Sequence, residues 1–298
     1  MTRLKVFLAV VVWGASFAFT KRALLEVSPL ALVLARCALG SLVMLAAIRA
    51  PLFRGLRRRE WLELAGMSLC GVAGQQLIQA FALRQTSANH AGWILAATPL
   101  VVAAFMAVFF GEVLGGRRWS GFVVGAAGTV LVVLSRQVVA GLGLIPTGRG
   151  DALFMTSCFN WALYVVMVDR WLAGRPQRMV TAMSMLLAFG MLCPVCLVGG
   201  QWRELLHVSL KGWLCLGYLG VLSSGLGYLF YNEGTEKLGA SAASVFLYLE
   251  PLAALTAGRL MLGEEVAPGA VLGGLLILAG VYWVNAGRPL PAAPEEAA

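Results

Sequence analysis

Charge is scarce in this chain. Of 298 residues only 12% are charged, and Asp and Glu together number 14. An ordinary soluble domain carries about 25% charged residues. A soluble fold of this size could not cover its surface with so few, so an ordinary soluble enzyme is excluded. Histidine is rarer still, at two residues. With no H-E-x-x-H and no Cys/His spacing, a metal centre lacks its ligands, and none is expected. The phosphate-cradling G-x-x-x-x-G-K-[ST] run is also missing, which argues against ATP-driven work by this chain. The six cysteines all lie in apolar stretches, where a secreted disulfide scaffold would not put them. Cys193-Pro194-Val195-Cys196 has redox spacing but sits inside an apolar helix, without the context of a redox motif. No cofactor is expected.

What is abundant is apolar sequence, at 60% of residues, together with 35 glycines. The apolar runs are continuous and do not alternate, which speaks against an outer-membrane barrel. A helix crosses a bilayer with about 20 mostly apolar residues. Ten runs fit, approximately 5–24, 30–48, 61–83, 91–110, 119–135, 151–172, 179–199, 212–231, 240–262 and 268–285. The expected fold class is therefore an all-α integral membrane protein of ten transmembrane helices. The basic start mimics a signal peptide, but Trp13 recurs in the second half, and retention as the first helix is expected. The net charge of +9 is spread between the runs and forms no single patch, so nucleic acid is not an expected partner. Fourteen of the 23 Lys and Arg residues fall on one side of such a membrane, with Arg54, Arg57, Arg58 and Arg59 clustered there, and eight on the other. The positive-inside rule then places both termini in the cytoplasm, as for a bacterial-type inner-membrane protein.

The chain repeats itself. Sliding it by 152 residues aligns 88–128 with 240–280 without a gap, and ten of 41 positions match. Roughly four would match by chance in so biased a composition. The informative matches are Pro99 with Pro251, Gly111-Glu112 with Gly263-Glu264, Gly121 with Gly273 and Gly128 with Gly280. Shifted by 148, Trp13 and Arg22 match Trp161 and Arg170. This divides the chain into a first repeat at 1–136 (helices 1–5), a connecting loop at 137–150, a second repeat at 151–287 (helices 6–10) and a disordered tail at 288–298. Five is odd, so the second repeat enters the membrane from the opposite side. Inverted repeats of this kind mark alternating-access transporters, because two opposed halves can exchange conformations around a site at their interface.

These features resemble the drug/metabolite transporter superfamily, EamA type. The resemblance is carried by Trp13-Gly14, by Pro29 followed by Arg36, and by the twice-used pattern around Thr98-Pro99 and Glu250-Pro251 with its Gly-Glu and Gly-rich helix. It covers nearly the whole chain. It implies ten helices, cytoplasmic termini and transport of small metabolites, often by export, with helices one, three, four, six, eight and nine around a cavity. Trp13, Trp93 and Trp161 are then candidate aromatic walls.

The residues themselves suggest where chemistry sits. Glu250 lies mid-span, where a charge costs about 2.5–3.5 kcal/mol, so it is a functional suspect: a proton carrier, a reader of a substrate amine, or a structural acceptor. Its repeat equivalent is Thr98. Arg36 either meets a substrate carboxylate or pairs with a polar group on a neighbouring helix. Gln75 and Gln79 share a helical face, as do Asn160 with Tyr164 and Tyr228 with Asn232. These six side chains, with Trp13 and Trp93, are the expected substrate-binding set. Pro99 and Pro251 each free a carbonyl four residues back, as hinges or as static kinks. Gly121-x-x-x-Gly125 and Gly269-x-x-x-Gly273 permit close helix packing, within a monomer or across a homodimer. The expected activity is a secondary transporter that exports small metabolites such as amino acids or related compounds by alternating access, with protons as a candidate coupling ion. The alternatives are a flippase for a lipid-linked substrate and an uncoupled facilitator; an intramembrane enzyme would need an acid/base constellation that the sequence does not offer.

Overall fold

A computed structural model describes residues 1–48, 55–110, 116–140, 148–171, 175–238, 243 and 246–285. The described residues are mostly helical, without strands. The helices are α1 (Thr2–Ala23), α2 (Pro29–Ala47), α3 (Arg58–Met67), α4 (Gln75–Leu83), α5 (Ala88–Ala96), α6 (Thr98–Phe110), α7 (Gly116–Ala140), α8 (Arg149–Trp171) and α9 (Gln177–Gly199). They continue with α10 (Leu210–Gly217), α11 (Tyr228–Leu238), α12 (Glu250–Leu262) and α13 (Pro268–Asn285). Four segments among the described residues are long and apolar enough to cross a membrane: Thr2–Ala23, Pro29–Ala47, Gln177–Gly199 and the continuous Leu210–Leu238. Of the other expected spans, 61–83 and 91–110 are interrupted, whereas 119–135, 151–171 and 268–285 lie in the continuous helices α7, α8 and α13. The expected tail at 288–298 and Glu112 lie outside the described residues, as does most of the connecting loop.

Local chemistry starts and stops the helices. Ser28, Ser87 and Ser209 cap α2, α5 and α10 by accepting the N–H of Ala31, His90 and Gly212, which satisfies otherwise orphaned donors. Pro29 follows the first cap, where its missing N–H costs nothing. Gly200 and Gly263 end α9 and α12 with φ of 78° and 65°, a conformation glycine adopts without strain.

Interruptions recur in both halves. The π-helical stretch Ser68–Gly74 joins α3 to α4, and Tyr218–Gly227 joins α10 to α11. The 152-residue shift carries 68–74 onto 220–226, inside the second stretch. The other interruption is at the prolines. Helix α5 ends at Ala96 and α6 restarts at Thr98, one residue before Pro99; α12 starts at Glu250, one residue before Pro251, after a 3₁₀ turn at Phe246–Leu249. Proline has no N–H, so each helix reopens where the donor is missing. The carbonyl of Ile94, at the first break, receives the Cys158 thiol at 3.6 Å.

The halves meet in two places. Helices α7 and α13 lie against each other with glycine on both surfaces. A side chain at Gly128 would strike the Gly273 carbonyl and the Ile277 backbone, and one at Gly280 would strike Gly121 and Gly125. The small-residue patterns thus pack a seam within one chain. The second meeting place is α1 against α12, where Gly14 leaves room for the Glu250 carbonyl and Ala253. The six cysteines, Cys193 and Cys196 among them, are free thiols.

Candidate functional site

The Trp13 side chain leaves α1 toward α11. Its indole N–H donates to the Ser223 carbonyl at 2.9 Å, and its ring lies 5.0 Å from both Tyr228 and Tyr231. A normal α-helical ladder would occupy most such carbonyls. Here the one at Ser223, inside the π-helical stretch, accepts a side chain from another helix. Gly227 makes the contact possible, because a side chain there would meet the Trp13 indole.

Arg36 reaches the same stretch from α2. Its Nε donates to Ser224 Oγ at 2.6 Å and an Nη to Ser223 Oγ at 3.1 Å. No carboxylate pairs with it among the described residues. Arg36 is only partly buried. Glu250 lies at the second contact between the halves, its carbonyl against Gly14, the residue after Trp13. It occupies the first turn of α12, is also only partly buried, and makes no hydrogen bond or salt bridge among the described residues. The Tyr228 ring lies within electrostatic range of both Arg36 and Glu250, and Tyr231 within range of Glu250. Two opposite charges without charged partners therefore flank one aromatic cluster.

A second polar group borders this one. Asn160 Nδ2 of α8 donates to the Cys70 carbonyl at 2.7 Å and to Gln75 Oε1 at 3.2 Å. The Tyr164 ring fills the space that Gly71 leaves open, with Trp161 5.2 Å away, and it lies within electrostatic range of Tyr228. The Cys70 carbonyl thus accepts both the Gln75 backbone N–H and the amide of another helix, and a π-helical carbonyl meets a side chain in each half. Gln79 is partly accessible on α4.

The structure brings together Trp13, Tyr228, Arg36 and Glu250, and beside them Gln75, Asn160 and Tyr164. It sets two expected residues elsewhere. Trp93 is fully buried with its ring against Gly274 of α13 and its Nε1 unpartnered. Asn232 is buried and donates to Thr181 Oγ1 on α9 at 3.2 Å. Pro251 is buried, with Gly92 of α5 against its backbone. The side chain of Pro99 lies outside the described residues. Sequence reasoning missed Ser223 and Ser224, although Ser-Ser-Gly in an apolar run was a visible signal.

A third buried cluster lies apart from these. His90 Nδ1 is 3.2 Å from Asp151 Oδ2, and the Thr86 hydroxyl donates to the other carboxylate oxygen. Nearby, Glu264 accepts the N–H groups of Ala88 and Asn89 at 2.9 and 3.1 Å and pairs with Lys21 at 2.9 Å. It caps α5 and ties α1 to α12 in one group.

Two segments, 2–134 and 148–286, match one family model, described as the EamA-like transporter family. The chain belongs to the EamA-like transporter family. An uncharacterized transporter of Archaeoglobus fulgidus is 29% identical over 96% of this chain and 97% of its own length. A probable terminal-alkyne amino-acid exporter of Streptantibioticus cattleyicolor is 27% identical over 93% of this chain and 91% of its own. A solved crystal structure, 22% identical and covering 95% of this chain and 97% of its own, superimposes with a TM-score of 0.61 and shares the fold. As an EamA protein, the chain is an integral membrane transporter and not an enzyme, and its two family segments correspond to the repeat seen in the residues.

Proposed function

We propose that this EamA protein is a secondary transporter that exports amino acids or related small metabolites, exchanging them for protons. The observation that carries this reading is the lone Glu250 carboxylate, placed at a helix break within range of Tyr228 and Tyr231, whose rings lie against Trp13. A carboxylate without a partner in an apolar setting is costly, and function is the usual reason for tolerating it. The printed name of the Streptantibioticus relative supports amino acids as the substrate class.

The mechanism is alternating access. Ten spans form two five-span halves of opposite orientation, with residues 1–136 and 151–287 as the halves and both termini in the cytoplasm. The repeated π-helical stretches and repeated breaks at Pro99 and Pro251 support this division. Freed backbone lines the site, as it does in transporters built from broken helices. Trp13, Gln75, Gln79, Asn160, Tyr164 and Tyr228 line the site. Trp93 and Asn232 support it from behind. Pro99 and Pro251 flex as the halves exchange conformations. Glu250 carries the proton in one direction and is deprotonated by the time substrate binds from the other.

The test is counterflow of radiolabelled amino acids in proteoliposomes under an imposed pH gradient. Glu250→Gln is expected to abolish gradient-driven transport while the protein stays folded. Unchanged proton dependence in that variant would remove the coupling role.

A further inference from the structure

Arg36 and Glu250 present a charge problem that packing leaves unsolved. Each has burial enough to make its charge expensive, at roughly 2.5–3.5 kcal/mol on insertion scales. The simplest structural remedy is for the two to pair with each other. No salt bridge among the described residues joins them, and Tyr228 stands within range of both.

Arg36 is positioned but not neutralised. A guanidinium has five donors in a fixed fork. Two are spent on the Ser223 and Ser224 hydroxyls, and hydroxyls supply no countercharge. The serines hold one edge of the fork, leaving the remaining donors in the planar geometry that suits a carboxylate. Glu250 is the reverse case: an acceptor-only group whose oxygens have no donor among the described residues. Aromatic rings accompany both charges: Tyr228 is within range of each, and Trp13, held by its own hydrogen bond to Ser223, lies against Tyr228 and Tyr231.

We propose that Arg36 and Glu250 are the two poles of one binding site, which takes a small zwitterion: its carboxylate meets Arg36, its ammonium meets Glu250, and its side chain lies against Trp13, Tyr228 and Tyr231. This rests on the transporter reading above and narrows it. A zwitterion pairs both charges without adding net charge to the membrane interior. An amine alone leaves Arg36 unpaired, and an acid alone leaves Glu250 unpaired. A site built for a polar group rejects the analogue lacking it by large factors, because the site's own group is then left unpaired. The proton and the substrate ammonium also compete for the same carboxylate of Glu250, so occupancy by one excludes the other. That competition is what an exchanger of protons for amino acids requires.

The test uses the purified full-length protein, thermal-shift binding and counterflow in proteoliposomes. The probes are the twenty protein amino acids, their methyl esters, their N-acetyl derivatives and the matching decarboxylated amines. A binding ligand raises apparent stability. The expected result is that one or more free amino acids stabilise the protein and drive counterflow. The ester, amide and amine analogues of those compounds should bind at least about a hundredfold more weakly. Arg36→Gln is expected to abolish the preference for the free acid over its methyl ester, and Arg36→Lys to keep part of it. The analogue series on the unaltered protein decides the matter even if Arg36→Gln does not fold. Equal binding of an ester or N-acetyl analogue, or no stabilisation by any free amino acid, overturns the two-pole site. Counterflow of a solute with only one charge overturns it too but leaves the transporter reading standing. A protein that binds free amino acids yet exchanges no solute overturns the transporter reading instead.

Discussion

The two halves of this EamA protein share a skeleton but not a chemistry. At the first proline break the residue before Pro99 is Thr98, buried, with its hydroxyl unpartnered. At the second break the same place holds Glu250, partly accessible, beside two tyrosines. The π-helical stretches differ in the same way. In the first the Cys70 carbonyl accepts an amide, Asn160, while in the second the Ser223 carbonyl accepts an indole and the serine hydroxyls accept a guanidinium. Backbone breaks are held in common by the two halves. Charge is confined to one half's break, where a single group can meet substrate or proton.

The sharpest way to break this comparison is to exchange the chemistry and leave the skeleton. Glu250→Gln should lower pH-driven transport by about a hundredfold or more, the scale of losing a proton-carrying group. Thr98→Val should change it by less than about threefold, since an unpartnered buried hydroxyl contributes little. Both are read by flux into proteoliposomes, and equal losses would mean the halves are chemically equivalent after all.

The shared skeleton can be challenged next. Gly128→Leu and Gly280→Leu place a side chain against backbone atoms of the opposing helix, which cannot yield as a side chain can. Each should cost about 3 kcal/mol or more, read as loss of monodisperse protein on purification. Gly190→Ala on α9 is the control, because its position is exposed with open space around it. It should hold stability or raise it by up to about 1 kcal/mol, through helix propensity alone.

Two smaller effects concern how the halves are tied at their ends. Glu264→Gln removes the charge from an acceptor serving Lys21 Nζ and the N–H groups of Ala88 and Asn89. It should lower the thermal midpoint by an amount worth about 1–3 kcal/mol. The smallest effect belongs to Glu26, in the turn between α1 and α2. The Ser209 backbone N–H and hydroxyl both donate to its carboxyl and hold its pKa below the usual carboxylate value. A lowered carboxyl pKa contributes stability above the unfolded-state value, and that contribution disappears as pH falls through the folded value. Melting curves from neutral pH downward should therefore show a slightly shallower acid decline for Glu26→Gln than for the unaltered protein.

Much of the skeleton was legible because it is written locally. Ser28, Ser87 and Ser209 precede their helices as capping residues do, and the pairing of Pro99 with Pro251 anticipated breaks at equivalent places. The ten apolar runs marked the membrane character, although four described segments satisfy length and hydropathy by themselves. Interruption was harder to see. Nothing in Ser68–Gly74 forces a π-helical register; the partner is Asn160, 90 residues away. The site was legible in residue type more than in contact. Arg36 finds Ser224 across 188 residues of sequence, and side chains four apart on a helix, such as Tyr228 and Asn232, turned out to have different neighbours. The His90, Asp151 and Thr86 cluster gave no signal, since it is assembled from the ends of separate helices.

The glycine seam between α7 and α13 has a consequence for movement. Side chains that interdigitate through methyl groups can slip by a rotamer change, but backbone set directly on backbone has no such play. The last helix of each half is held there by carbonyl and Cα atoms of Gly121, Gly125, Gly128, Gly273 and Gly280. A rearrangement of one half against the other that keeps this seam closed would pivot on it, and α1 against α12, beside Glu250, is the other meeting place where the halves could shift.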